Sequence, residues 1–337
     1  MPCKPPRVLI VNDDGPPSSL YQDLCKLGWD VRVVLPSSQK SWSGTNYTVH
    51  DAQLRYWYYY PMRDNFTGSH PDTLQSWSNT RRPIDESRGE IAEWLLVDGT
   101  PSTCTNIGLF TSDELFATTE EPPFTLVISG PNYGRNTGTA FSVSSGTLGG
   151  ALAGALSDAR GIAISYGHFQ RSPPTLDGRR DAPPLTAEQN RDLCREASQL
   201  TVSILKQLWE NWDQDASVQV YSMNVPLCEC LLRPTICWTR VWESRHVQQY
   251  VLPSKPHTDD SQRVKPLGIS PVATDHAEHG AYLDFRPNLA RAMQPTDLNR
   301  NEDTDIQALS NGHIGISRLS ACFAQVDSNG IPPPQVS

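Results

Sequence analysis

The feature that most constrains this chain lies near its start, where an uninterrupted apolar run meets two adjacent acids. Arg7 is followed by Val8-Leu9-Ile10-Val11, which leads directly into Asn12-Asp13-Asp14-Gly15. A short run that is apolar at every position and bounded by turn formers reads as a strand buried on both faces, hence as a central strand of a parallel sheet. A short helix is expected near residues 20–27, then a second strand at residues 31–35, closed by Pro36. This β-α-β opening predicts a doubly wound, Rossmann-like α/β sheet in three layers, with ligands bound beyond the carboxyl ends of its strands.

Later segments extend the pattern. Residues 92–97, 124–128 and 161–165 read as further strands, with 98–101 as a turn and 129–138 as a glycine- and asparagine-rich loop. A small-residue helix is expected from Ser144 through Leu156. An amphipathic helix is expected over 185–212, where Leu193, Leu200, Ile204 and Leu208 recur near helical spacing. Residues 218–226 and 236–241 are strand-like. Residues of about 50–90 differ in character: Tyr56-Trp57-Tyr58-Tyr59-Tyr60 precedes a polar, proline-bearing stretch. They read as an insertion, an aromatic strand or hairpin and then a solvated loop, and its aromatics are expected to pack on the host rather than stack nucleobases. Residues 168–184 read as a surface loop. The expected organisation is one domain over 1–245, a β-rich C-terminal extension over 246–325, and a disordered tail over 326–337.

Charge and cysteine usage narrow the function classes. The formal charge is -9, with no stripe of Lys and Arg, which argues against gripping a nucleic-acid duplex. Small phosphorylated molecules stay open, because one metal ion and a few backbone amides can hold a phosphate locally. No apolar run is long enough to span a bilayer and no signal segment is evident, so a cytoplasmic location is expected. The eight cysteines are scattered, and Cys228 and Cys230 form the one close pair, without a second pair or a histidine cluster beside it. Reduced thiols are expected rather than a zinc site or a disulfide frame.

Four segments gather the chemistry. Asp13 and Asp14, at the end of a buried strand, repel each other and lose solvation unless a cation compensates; a solvated Asx-type turn is the alternative. The loop Ser129-Gly130-Pro131-Asn132-Tyr133-Gly134-Arg135-Asn136-Thr137-Gly138 offers neutral oxygen ligands and glycines suited to positive φ. Ser144-Ser145-Gly146-Thr147 stands where a helix begins, so its free amides suit a phosphate, and ordinary N-capping competes with that account. The serine-rich loop 37–45, with Ser41, Ser43 and Gly44, follows the second strand and reaches the same carboxyl edge.

In these motifs and their order the chain resembles the SurE family of survival proteins, and in the wording of its loops the family's fungal branch. Gly99-Thr100-Pro101, Ile162-Ala163-Ile164-Ser165 and Asn224-Val225-Pro226 match as well, and the resemblance covers about residues 7–245. It implies a metal-dependent phosphomonoesterase of the acid phosphatase or 5′- or 3′-nucleotidase type, acting on nucleoside monophosphates or small phosphate esters. It implies one divalent ion per subunit, Mg²⁺ or Mn²⁺, with Asp13, Asp14, Ser41 and Asn132 as ligands and Asp13, Asp14 and Asn132 as catalytic residues. Asn12, Ser43, Gly44, Asn136, Ser145, Gly146 and Thr147 are the implied phosphate contacts. A homodimer or higher homo-oligomer is implied too, made partly by the C-terminal end. Two departures stand out: the stretch from Gly15 to Pro36 is short for the family, which clips the first helix, and the closing strand reads Gly312-His313-Ile314-Gly315-Ile316-Ser317-Arg318-Leu319. Two rival readings are a non-catalytic member of the same fold, binding a nucleotide or a partner, and a nucleotide-sugar transferase holding a metal-diphosphate.

Overall fold

The computed structural model describes residues 4–14, 18–49, 53–62, 76–118, 121–167, 186–252, 283–286 and 303–324. The chain opens with β1 (Arg7–Val11), α1 (Ser18–Lys26) and β2 (Asp30–Pro36). β3 (Tyr56–Tyr59), β4 (Trp77–Ser78), β5 (Trp94–Val97), α2 (Pro101–Phe110) and the single turn α3 (Ser112–Leu115) follow. The middle comprises β6 (Leu126–Asn132), α4 (Thr139–Ser144), α5 (Gly146–Ala155) and β7 (Arg160–Gly167). Next come α6 (Ala187–Glu210), β8 (Val220–Pro226), β9 (Ile236–Thr239) and the two-residue strands β10 (Tyr250–Val251) and β11 (Asp284–Phe285). α7 (Asp305–Ser310) and β12 (Ile314–Leu319) complete the order.

Ten strands form one sheet in the order β4-β3-β5-β2-β1-β6-β7-β8-β12-β9. From β5 through β8 every neighbour is parallel, whereas β3 and β12 run antiparallel to β5 and β8. β1 has β2 on one side and β6 on the other, and the chain winds outward from it in both directions. This is the switch point at which an open α/β sheet leaves a crevice at its carboxyl edge.

β1 is buried at all its positions, and the strand period of two divides its residues between two cores. Val8 and Ile10 pack with Leu20 and Leu24 of α1 and Leu205 and Leu208 of α6. Leu9 and Val11 pack on the opposite face with Cys104 of α2. Helices thus cover both faces, α1 against α6 on one side and α2 against α5 on the other. Each such buried side chain contributes roughly 2 kcal/mol relative to exposure. The strand that carries the acids is therefore anchored on both faces of the sheet. Although α1 has only nine residues, Leu20 and Leu24 tie it to this core.

Three segments fold otherwise than expected. β6 does not stop at residue 128 but continues to Asn132, which pairs with Ser165 after a register shift. The backbone of β7 holds it extended in spite of its turn-forming residues. The stretch 98–101 is a helix start rather than a free turn: the Thr100 hydroxyl accepts from Thr103 N, and Pro101 occupies the first turn. The closing segment lies inside the main sheet, since β12 fits between β8 and β9. A boundary at residue 245 therefore runs through one sheet, because β12 covers the open edge of β8 and buries Ile314 and Ile316.

The aromatic segment does pack on its host. β3 pairs antiparallel with β5, and the Tyr59 ring meets that of Trp94 with centres 5.9 Å apart, while Tyr60 is fully buried. The expected solvated loop falls mostly on 63–75, outside the described residues, as do the loop expected at 168–184 and the tail expected over 326–337. Seven cysteines are described, and all are free.

Candidate active site

At the end of β1, Asn12 is almost fully buried and organises both acids. Its Oδ1 accepts from Asp13 N at 2.8 Å and Asp14 N at 3.4 Å, and its Nδ2 donates to the Pro131 carbonyl at 3.1 Å. It pins the loop after β1 to the end of β6, so this side chain has a structural task in addition to any phosphate contact. Asp13 is 4% exposed and accepts from the Thr147 hydroxyl at 2.7 Å. Burial pushes its carboxyl up to about 6; the Thr147 bond pulls the other way, and the charge of Asp14 adds to the rise. Asp14, less buried, accepts from Gln39 Nε2 at 2.7 Å and from Tyr133 N at 2.8 Å.

The loop after β2 folds back onto this pair. Lys40 N donates to the Asp13 carbonyl at 3.2 Å, and Gly44 N donates to the Ser144 carbonyl at 3.0 Å. At the start of α5, a β-carbon on Gly146 would sit 2.5 Å from Ser43 Oγ and 3.1 Å from Asp13 Oδ2, so only glycine lets these three segments meet. Ser145 serves as the N-cap, its hydroxyl accepting from Leu148 N at 3.0 Å. Thr147 spends its hydroxyl on Asp13. For both residues the side chain has a structural task in addition to any phosphate contact.

A cavity of about 370 Å³ opens at this edge, and its lining includes Asp13, Asp14, Ser41, Asn132, Asn136 and Ser145. The four residues expected to hold a metal thus border one space, although they come from three loops. Asn12, Ser43, Gly44, Gly146 and Thr147 stand behind that lining. Two of the loop glycines, Gly130 and Gly138, have positive φ (119° and 77°), whereas Gly134 does not. Asn136 is fixed at both ends, its N donating to Asn224 Oδ1 at 3.0 Å and its Nδ2 to Ser165 Oγ at 2.8 Å.

Several residues of the site were not singled out from the sequence. Gln39 holds Asp14, and Trp42 and Phe141 add aromatic lining. Arg135 is the one cation of the lining, and burial lowers its guanidinium pKa from the ordinary value. Asp305 is 1% exposed and accepts from Gly138 N at 2.8 Å, Trp242 N at 3.1 Å and Ile306 N at 2.7 Å. Its place in an Asp-Ile-Gln stretch gave no signal, because its partners lie far away in sequence. Arg135 was legible as a charge within a glycine loop.

The donors fit a hard divalent ion. Asp13 carries a desolvated carboxylate that the Thr147 hydroxyl compensates only in part, and Ser43 Oγ nearby is buried without a hydrogen-bond partner. Two carboxylates with neutral oxygens suit Mg²⁺ or Mn²⁺ rather than zinc. Among the described residues no group of three or more His, Cys, Asp or Glu is placed to hold a metal, so any ion here depends on serine, asparagine and water for its remaining ligands.

The profile of the family described as "Survival protein SurE" matches residues 8–248. A Saccharomyces cerevisiae protein named "Probable tubulin--tyrosine ligase PBY1" is 34% identical over 260 residues, covering 72% of this chain. This chain spans 31% of that relative's length. A "5'-nucleotidase SurE" from Dehalococcoides mccartyi is 27% identical over 318 residues, covering 93% of this chain and 88% of the relative. One from a Picosynechococcus species is 26% identical over 329 residues, with coverage of 94% and 92%. Among solved structures, the SurE protein of Aquifex aeolicus matches with a TM-score of 0.56 at 20% identity, covering 95% of each chain. At that identity the likeness speaks for the fold.

Proposed function

This chain belongs to the SurE family, and from that premise we propose that it is a metal-dependent phosphomonoesterase acting on nucleoside monophosphates or related small phosphate esters. The observation that carries the reading is Asp13, a nearly buried carboxylate pushed up to about 6, standing beside Asp14 at the switch point of the sheet. Such a pair is unfavourable in an empty turn and favourable around a cation. The 5′-nucleotidase names of the two bacterial relatives support the same reading.

Asp13, Asp14, Ser41 and Asn132 would hold one Mg²⁺ or Mn²⁺ ion, which when bound neutralises charge developing on the phosphoryl oxygens. Arg135 supplies further positive potential from the glycine loop, which Asn136 pins to β7 and β8. Asp14, fixed by Gln39 and Tyr133 N, orients an attacking water and accepts its proton at a carboxylate oxygen. The water oxygen bonds to phosphorus as the ester P–O bond breaks, and the departing alkoxide takes a proton from solvent, while Asp14 later gives up the proton it accepted. An oligomer is part of the proposal: Ile236 and Trp238, 49% and 54% exposed on the edge strand β9, offer an apolar edge to a second copy. No helix among the described residues is long and apolar enough to cross a membrane.

The test is phosphate release from a panel of nucleoside monophosphates and p-nitrophenyl phosphate, with Mg²⁺, with Mn²⁺ and with excess EDTA. Release that is lost in EDTA and in Asp13→Ala supports the enzyme. Folded protein that releases nothing with either metal would leave a nucleotide-binding member of the same fold.

A further inference from the structure

We propose that Trp42, with Phe141 beside it and Phe285 packed against it, forms a seat for a planar aromatic group on the substrate. Nucleoside and aryl monophosphates would then be preferred over aliphatic phosphate esters. This rests on reading the cavity as a phosphate-ester site, and goes beyond it by assigning the leaving group's place.

Trp42 and Phe141 line the same cavity as Asp13 and Asp14. Their ring centres lie 5.7 Å apart at 56°, and Phe285 meets Trp42 at 5.4 Å and 77°, an edge-on contact. Phe285 is itself backed by Tyr250 at 5.5 Å, across the β10–β11 pair. The C-terminal part of the chain thus delivers an aromatic brace to the mouth of a cavity built by its N-terminal half. With both neighbours in contact, Trp42 remains 37% exposed, which leaves part of the indole surface available at the cavity.

The backbone of Trp42 supplies an independent observation. Its φ is 65°, in the left-handed region that bulky residues rarely occupy and glycine enters freely. Packing alone does not explain a large ring kept in such a conformation while more than a third exposed. A ring held at the lip for a ligand does. The cavity, at about 370 Å³, lies in the range of small-molecule pockets and leaves room beyond a phosphoryl group. Stacking tolerates any base, because every base presents a π-face, so little discrimination among nucleobases is expected.

The experiment is titration calorimetry with phenylphosphonate and propylphosphonate in the presence of Mn²⁺; both lack a scissile P–O ester bond. The seat predicts that phenylphosphonate binds wild type about tenfold more tightly, a ratio consistent with base-on-aromatic stacking. Trp42→Ala should bring the ratio within about twofold, Trp42→Phe should restore most of it, and Phe285→Ala should lower it partway. Thermal melting establishes that each variant is folded. Equal affinities in wild type, a ratio that survives Trp42→Ala, or no binding of either phosphonate overturns the seat. Phosphate release measured on the same preparations keeps the two readings apart. Release without the ratio removes the seat and leaves the phosphatase, and the ratio without release does the reverse.

Discussion

The β1–β6 crevice and the α4 wall border one cavity, yet they are held in opposite ways. In the crevice, Asn12 reaches Pro131 and Asp14 accepts from Tyr133 N, so neighbouring strand ends fasten each other. The α4 wall has no side-chain cap of its own at Gly138. Its first amides go to distant partners: Gly138 N to Asp305, Thr139 N to the Trp242 carbonyl at 2.8 Å, and Ala140 N to Ser244 Oγ at 2.9 Å. The orphan donors of a helix start are therefore consumed by protein, and α4 is a wall rather than an anion site. The difference teaches that the reacting end is fixed by the sheet itself, whereas the far wall depends on the C-terminal segment.

The sharpest way to break this comparison is Asp13→Asn. Phosphate release should fall at least about 10³-fold, equivalent to roughly 4 kcal/mol of transition-state stabilisation. Metal-free stability should move the opposite way. A carboxyl whose folded pKa is about 6, above its reference value of 3.8, favours the folded state when protonated. The group's penalty is absent below about pH 4 and fully present above about pH 6, reaching roughly 3 kcal/mol at neutral pH. The variant should then melt higher than wild type in EDTA at pH 7, and the gap should close as the pH falls to 4. Equal melting curves at pH 7 would show that the carboxylate is better solvated than its burial implies.

Asp305→Ala attacks the other wall. It removes the acceptor of three backbone amides at a residue 1% exposed, and a loss of about 3 kcal/mol in urea unfolding is expected. The loss should come with a several-fold rise in KM as α4 loosens. Asp14→Asn, by contrast, should change stability by less than about 1 kcal/mol, since its hydrogen bonds are exposed. If both variants unfold alike, the two walls are not held differently.

Arg135→Ala should raise KM about tenfold with a smaller change in kcat, and Arg135→Lys should recover part of it, because a point charge replaces a planar fork. The smallest effect is expected at Ser43, whose buried hydroxyl lacks a partner. Ser43→Ala should stabilise the metal-free protein by up to about 1 kcal/mol. Metal or substrate should reduce that gain if the hydroxyl serves them, and differential scanning in the two conditions reads it directly.

Much of this molecule was legible in the sequence. Val8 to Val11 announced a strand buried on both faces, and the order of strand and helix segments announced a doubly wound sheet, because apolar periodicity is a local property that burial must satisfy. Asp13 and Asp14 stood out for a related reason, since adjacent acids after a buried strand need an explanation wherever the chain goes. The tertiary structure alone decided what depends on distant segments meeting. It carried β6 through a run of turn formers to Asn132, and it slotted β12 between β8 and β9 rather than into a separate extension. It also gave Asn12 a structural task and brought Asp305 and Phe285 to a site built by the first half of the chain. No local pattern encodes those placements, because a hydrogen bond to a backbone amide or an edge-on ring contact asks little of residue type and everything of position.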